Sequence, residues 1–286
     1  VIELSTKSYG KDVMADIKLG NMKMYYEVCG KGEPLLLIAG LASDSSSWGG
    51  VIKDLSSNFT TVIFDNRGCG RSSTPEEPYT IEDMAGDCIK LLDGLKIERC
   101  HVLGHSMGGY IAQVLALQYP ERVDRLVLES TSFVSSKRNN ELYKGFLNEL
   151  ERGSSSEAVV RGWIPWLFSP KTISDTSFIE SFVKAASEYP YPQTAKGFAG
   201  QINAIASFDG KNAAASIKPN TLVLEGGQDA LITPQEVQAL AKLIPASKYA
   251  ALDGAGHALH IERPKEFVRE VTGFILGTVA TSPKTS

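Results

Sequence analysis

The sequence predicts an α/β protein built on a mostly parallel sheet, and three observations carry that reading. Short apolar runs recur at Leu35–Ile38, Thr61–Phe64, His101–Leu103, Leu126–Leu128, Thr221–Leu224 and Tyr249–Leu252. They are continuous rather than alternating, the pattern of strands covered on both faces. Helical patterns separate most of them, and strands alternating with helices pack as a parallel sheet with helices on either side.

The elements follow in order. Met22, Met24, Tyr26 and Val28 alternate with polar or variable positions after a Gly20-Asn21 turn, which reads as a β-hairpin. Ile81 to Leu95 places Ile81, Met84, Ala85, Cys88, Leu91, Leu92 and Leu95 on one helical stripe. Met107 to Tyr119 is a second helix, stopped by Pro120. Pro234 to Leu243 is a third, with Thr233 as N-cap and proline in the first position. Pro264 to Leu276 is the last. Asp44 and Ser45 are expected to cap a further helix whose Trp48 belongs to the core.

One stretch breaks the alternation. From Phe133 to Ile217 no buried strand is visible, and large aromatics concentrate there. We expect several short helices forming a cap at 133–217, inserted between core-domain segments 1–132 and 218–286. The cap is expected over the carboxyl edge of the sheet, where ligands bind in open α/β folds. Its aromatic content is too high for a solvated lid. Trp163, Trp166 and Phe168 are the candidates to line an apolar substrate pocket.

Composition excludes several classes. Hydrophobic residues make up 43% of the 286 residues, ample apolar surface for a sizeable core, which excludes global disorder. With 29 basic and 33 acidic residues, a net charge of −4 and no run of Lys and Arg, no nucleic-acid partner is expected. The longest purely apolar run, Leu35 to Ala39, is strand-sized, so no membrane partner is expected. Cys29, Cys69, Cys88 and Cys100 form no CxxC pair and read as free thiols of a reducing compartment. Val1 to Leu4 lack a basic region followed by an apolar one, so a cytoplasmic location is expected. No H-x-x-x-H, carboxylate cluster, P-loop or dinucleotide fingerprint is present, so neither a metal nor an organic cofactor is expected.

The sharpest local signal is Gly104-His105-Ser106-Met107-Gly108, which fits G-x-S-x-G. It follows the strand at His101–Leu103 and opens the helix at Met107, the context such a motif requires. A strained turn there lifts the serine hydroxyl above the sheet. It also aims the free N–H groups of the following helix at an oxyanion forming beside it. Of the four histidines, His101 starts a buried strand, His105 points away beside the serine, and His260 is expected to pack the turn after His257. His257 lies in the glycine-rich Gly254-Ala255-Gly256-His257 loop after the last strand, from which an imidazole can reach Ser106. Asp229, directly after the strand at Thr221–Leu224, is the candidate acid; Glu129, at the end of Leu126–Leu128, is the fallback. A carboxylate on one imidazole nitrogen leaves the other free to take the serine proton.

These residues make the chain resemble the α/β-hydrolase fold superfamily over nearly its whole length. Asp65-Asn66-Arg67-Gly68-Cys69-Gly70-Arg71-Ser72 looks like the family's D-x-R-G-x-G-x-S loop. Ser106-Met107-Gly108-Gly109 with Tyr119-Pro120-Glu121-Arg122-Val123 looks like its elbow and following helix. Gly256-His257 with Glu262-Arg263-Pro264 looks like its terminal segment, and the order Ser106, Asp229, His257 is that of the family. The resemblance implies an eight-stranded, mostly parallel sheet with flanking helices and a helical cap. It also implies oxyanion donors at the backbone N–H groups of Leu41 and Met107. The usual His-Gly of that loop is here Ala39-Gly40, which leaves the backbone donors in place and raises the question of what holds the loop.

The enzymes most similar in pattern are 3-oxoadipate enol-lactonase and small carboxylesterases. The resemblance therefore implies a serine esterase or lactonase acting on a small-molecule substrate, with Ser106, His257 and Asp229 as triad. Two alternatives use the same residues: a C–C bond hydrolase acting on a vinylogous diketone, and a small-molecule receptor or signalling protein with a slow triad. Dehalogenases and epoxide hydrolases are disfavoured because their nucleophile is Asp, and proline iminopeptidases because they carry Trp where Met107 stands.

Overall fold

The computed structural model describes residues 13–278. The strands are β1 (Val13–Leu19), β2 (Met22–Gly30), β3 (Glu33–Ile38), β4 (Phe59–Phe64), β5 (Cys100–His105), β6 (Val123–Glu129), β7 (Asn220–Gly226) and β8 (Ser247–Leu252). They form one sheet in the order β1-β2-β4-β3-β5-β6-β7-β8. The β1–β2 hairpin turns at Gly20 and Asn21, and β2 pairs antiparallel with β4. All the remaining pairings are parallel.

The continuous apolar runs divide by parity between two cores. Leu36, Ile38, Val62, Phe64, Val102, Leu128 and Val223 face one side of the sheet; Leu35, Leu37, Ile63, Leu103, Val127, Leu222 and Leu224 face the other. The first side is covered by α2 (Ile81–Gly94), α3 (Met107–Gln118) and α9 (Pro234–Leu243), the second by α1 (Ile52–Ser56) and α11 (Pro264–Leu276). All seven residues of the expected stripe are buried, six on α2 and Leu95 as its C-cap, and Thr80 with Asp83 closes a capping box at the start of the helix. Trp48 is fully buried, and Asp44 caps the 3-10 turn Ser45–Gly50 by accepting from the Ser46 N–H at 2.8 Å. One expectation fails. The run at Tyr249–Leu252 is not covered on both faces: β8 has a single neighbouring strand, Ala251 is exposed, and Tyr249 and Ala250 are only half-buried.

Between β6 and β7 lies a helical insertion of α4 (Lys137–Glu151), α5 (Ser156–Leu167), α6 (Pro170–Ile173), α7 (Thr176–Ser187) and α8 (Ala195–Ser207). A single bridge from Val134 to Asp209 closes its base. The insertion divides its apolar residues. Phe198, Ile202, Ile205 and Phe208 join the core over α2 and α3, whereas Ile164, Phe168, Ile179 and Val183 form a separate cluster with Ala258. The chain closes with α10 (Leu259–Glu262) before α11. Among the described residues no helix is long and apolar enough to cross a membrane.

The loop after β4 is fixed by a buried carboxylate. Asp65 accepts from the Ser45 N–H (3.0 Å) and hydroxyl (2.7 Å), and from the Arg71 N–H and Nε (both 2.8 Å). The Arg71 guanidinium also lies 3.5 Å over the Tyr25 ring. Arg71 is partly exposed and keeps Glu27 at 3.7 Å, so removing the buried carboxylate mainly leaves the donors around it unpaired, at about 1–3 kcal/mol. Asp65→Ala is therefore expected to lower unfolding free energy by roughly that amount in urea titration. A loss under 1 kcal/mol contradicts the assigned role.

Candidate active site

β5 ends at His105 and α3 begins at Met107, so Ser106 alone makes the junction, with φ 54° and ψ −116°. A non-glycine residue holds such a conformation only when its surroundings over-determine it. Here the Ser106 N–H donates to the Glu129 carbonyl at 2.9 Å, and the Ser106 carbonyl accepts from the Thr131 hydroxyl at 2.8 Å. The two glycines of the motif make room: a Cβ on Gly104 would strike the Gly108 carbonyl, and one on Gly108 the Ile38 carbonyl. This is why the strand can turn into the helix without a gap. Met107 opens α3, so its N–H has no intrahelical acceptor.

His257 and Asp229 are brought together. Asp229 follows β7, and its Oδ2 lies 2.8 Å from His257 Nδ1; both residues are buried. The other carboxylate oxygen accepts from the N–H groups of Leu231 (2.8 Å) and Ile232 (2.9 Å), which fixes the carboxylate plane. An acceptor at Oδ2 places the imidazole proton on Nδ1 and leaves Nε2 as the basic nitrogen.

The histidine loop is tied to the insertion. The Leu167 carbonyl, at the end of α5, accepts from the N–H groups of His257 (2.9 Å) and Ala258 (3.1 Å). Glu262 accepts from the Gly256 N–H at 2.7 Å, the Ser169 hydroxyl at 2.6 Å and the Thr172 hydroxyl at 2.5 Å. Nothing local in the terminal motif signals this structural duty of Glu262.

Glu129 is not beside His257. Its Oε1 lies 2.7 Å from His260 Nδ1 and accepts from the His260 N–H at 3.2 Å. His260 is thus one half of a second buried pair, and its ring also lies 4.6 Å from Trp48. His105 does more than point away: its Nε2 is 3.2 Å from the His257 carbonyl. A carbonyl only accepts, so that nitrogen carries a proton. Burial, with His257 and His260 close by, pushes the His105 pKa well below the ordinary value. His101 is buried at the start of β5, 3.3 Å from Glu33, as a structural residue would be.

The 39–43 segment packs on the elbow: a Cβ on Gly40 would lie 3.2 Å from Ser106 Cβ. The Gly40 carbonyl accepts from the Ser43 N–H at 3.3 Å, and the Ala39 carbonyl from Asn66 Nδ2 at 3.2 Å. Leu41 is half-buried in this turn. Of the candidate pocket aromatics, Trp163 stacks on Phe146 at 3.9 Å and Trp166 lies under the Arg138 guanidinium. Phe168 is buried edge-on against Phe178 and Phe182. Among the described residues the four cysteines form no disulfide, and burial pushes the Cys69, Cys88 and Cys100 thiols up, the last to about 12. Among the described residues one donor group, His105, Glu129 and His260, has its ligand atoms within 4.8 Å of one another.

Comparison with known proteins bears on the family and the fold. The family model of the alpha/beta hydrolase fold matches residues 33–264. The chain is 31% identical over 262 residues to a proposed carbamate hydrolase, RutD, of Azorhizobium caulinodans, covering 89% of this chain and 96% of that protein. It is similar to the crystal structure of the enol-lactonase from Burkholderia xenovorans, with a TM-score of 0.83 at 27% identity, covering 92% and 100% of the two chains. It is also similar to a thermophilic esterase from Thermogutta terrifontis, with a TM-score of 0.82 at 25% identity, covering 95% and 100%.

The His105 shift has a consequence for stability. The native state keeps His105 neutral while the unfolded chain protonates it below about pH 6.5, so the unfolded state binds more protons and stability falls as pH drops. One such group contributes a slope of about 1.4 kcal/mol per pH unit. Between pH 6.5 and 5 the wild type is expected to lose about 1.5 kcal/mol more than His105→Gln in urea titration. Equal losses contradict the buried neutral imidazole.

Proposed function

The chain belongs to the alpha/beta hydrolase fold family, and on that premise we propose that it is a serine hydrolase cleaving a small carboxylic ester or lactone. Ser106 attacks the carbonyl carbon while His257 Nε2 takes the hydroxyl proton. Asp229 holds the imidazole and stabilises the cation that forms. The backbone N–H groups of Leu41 and Met107 bind the oxyanion of the tetrahedral intermediate. Collapse of that intermediate expels the alkoxide, which leaves with the proton from His257. Water, activated by the same imidazole, then releases the acyl group and restores Ser106. The observation that carries this reading is the buried Asp229–His257 pair at 2.8 Å, on loops at the same sheet edge as the strained Ser106 turn.

In this reading residues 133–217 are a cap on a core domain made of the segments to either side. Trp163, Trp166 and Phe168 belong to the wall that shapes the substrate cavity. An apolar wall of this kind favours short acyl chains and aryl groups. The similarity to RutD supports a second reading, hydrolysis of a carbamate through a carbamoyl-serine formed by the same groups. No step calls for a metal.

Steady-state rates on aryl esters, lactones, carbamates and ring-cleavage diketones decide among these substrates. Ser106→Ala is expected to lower kcat by about a thousandfold or more on whichever is accepted, with the fold retained. Asp229→Asn is expected to lower it by about 10⁴ through the wrong imidazole tautomer. If Glu129→Gln proves far more damaging than Asp229→Asn in folded protein, the assignment of Asp229 as the acid is wrong. Dialysis against EDTA is expected to leave turnover unchanged; a loss restored by zinc would implicate His105, Glu129 and His260 instead.

A further inference from the structure

The turn proposed to present the Leu41 N–H is unfavourable on its own. Its ends meet through the Ser43 N–H and the Gly40 carbonyl at 3.3 Å. The third residue, Ala42, has φ 56°, whereas Leu41 is not among the residues of positive φ. That is the arrangement of a type II turn, whose third position glycine normally fills. An alanine there costs about 1 kcal/mol or more. The Ala42 N–H has no acceptor within the turn. It is met from the insertion: Gln201 Oε1, on α8, accepts it at 2.9 Å.

Gln201 is fully buried, and its Nε2 donates to the Arg67 carbonyl at 3.0 Å. Arg67 is itself anchored by Asp87 of α2, with Nε 2.6 Å from Oδ2. The helix is held close to this loop. Gln193 Nε2 donates to the Gly68 carbonyl at 2.8 Å, and a Cβ on Gly197 would strike that carbonyl. Gln201 therefore has both ends occupied and no freedom to swing away. Among the described residues it is the insertion side chain that hydrogen-bonds the 39–43 turn.

We infer that Gln201 is a positioning residue for the oxyanion hole. Because the Gly40 carbonyl and Leu41 N–H share one planar peptide, the Gly40–Ser43 bond aims the N–H outward from the turn. The Gln201 bond fixes the next peptide and holds Ala42 in its left-handed conformation. Seating α8 on the core and setting the oxyanion donor are then one event. The Ala39 that replaces the family's usual histidine leaves the loop to be held from the insertion instead. The inference rests on the triad reading above.

Kinetics of Gln201→Leu and of the double variant Gln201→Leu/Ala42→Gly test it. Gln201→Leu is expected to lower kcat by about 10–100-fold with KM within about threefold, since the donor is displaced rather than removed. It is expected to weaken inhibition by a trifluoromethyl ketone, which forms an oxyanion on the serine, by a similar factor. Ala42→Gly relieves the backbone strain and is expected to restore kcat at least fivefold in the double variant. Gln201→Glu keeps an acceptor for Ala42 but loses the donor to the Arg67 carbonyl, and is expected to lose at least about threefold less kcat than Gln201→Leu; a ketone-inhibition assay of Gln201→Glu covers the case that Gln201→Leu does not fold. Unchanged kcat and ketone affinity in folded Gln201→Leu overturn the inference, as does a loss in Gln201→Glu equal to that in Gln201→Leu, or no recovery in the double variant. Failure of a fluorophosphonate to label Ser106 in the wild type would instead overturn the triad reading.

Discussion

The backbone at Ser106 is the constraint on which the rest depends. A serine at φ 54° and ψ −116° is strained by about 1–3 kcal/mol and persists only where its neighbours leave no alternative. The neighbours are supplied by the parallel part of the sheet, β3 to β8, whose strands all end at one edge. β5 delivers the serine, β3 the turn beside it, and β7 the aspartate; the loop after β8 delivers the histidine. Gly104 and Gly108 let strand and helix approach closely enough for one residue to span the junction. Thr131 and the Glu129 backbone then hold that residue from the next strand.

Polar contacts, rather than apolar packing alone, join the insertion to this edge. Glu262 and the Leu167 carbonyl bind the histidine loop to α5 and α6, and Gln201 binds α8 to the 39–43 turn. Each is worth little net while made, and each leaves buried groups unpaired if broken. The insertion is thus held at the histidine loop and at the 39–43 turn.

The sheet strands, the helices α2, α3, α9 and α11 and the elbow could be read from the sequence because each writes a local pattern. Apolar runs of strand length, the stripe on α2 and the glycines at 104 and 108 need no knowledge of distant residues. β8 misled because a continuous apolar run looks alike in a central and an edge strand; what differs is the number of neighbours, a property of topology. The His257–Asp229 pairing followed from chain order and loop type. The Glu129–His260 pair, the His105 bond to the His257 carbonyl and the Gln201 clamp did not. Each joins residues more than 130 positions apart, and a buried polar side chain carries no local sign of its partner. The aromatics of the insertion showed that the segment has a core, but their assignment to Phe146, Arg138 or Phe178 depends on how short helices pack.

The central claim is that Ser106 becomes acylated in the course of turnover. Rapid-quench intact-mass analysis with an activated aryl ester, followed by peptide mapping, measures this directly. The account predicts a transient mass increase equal to the acyl group, located on the peptide containing Ser106 and absent from Ser106→Ala. Turnover without any adduct, or an adduct on another residue, would contradict it.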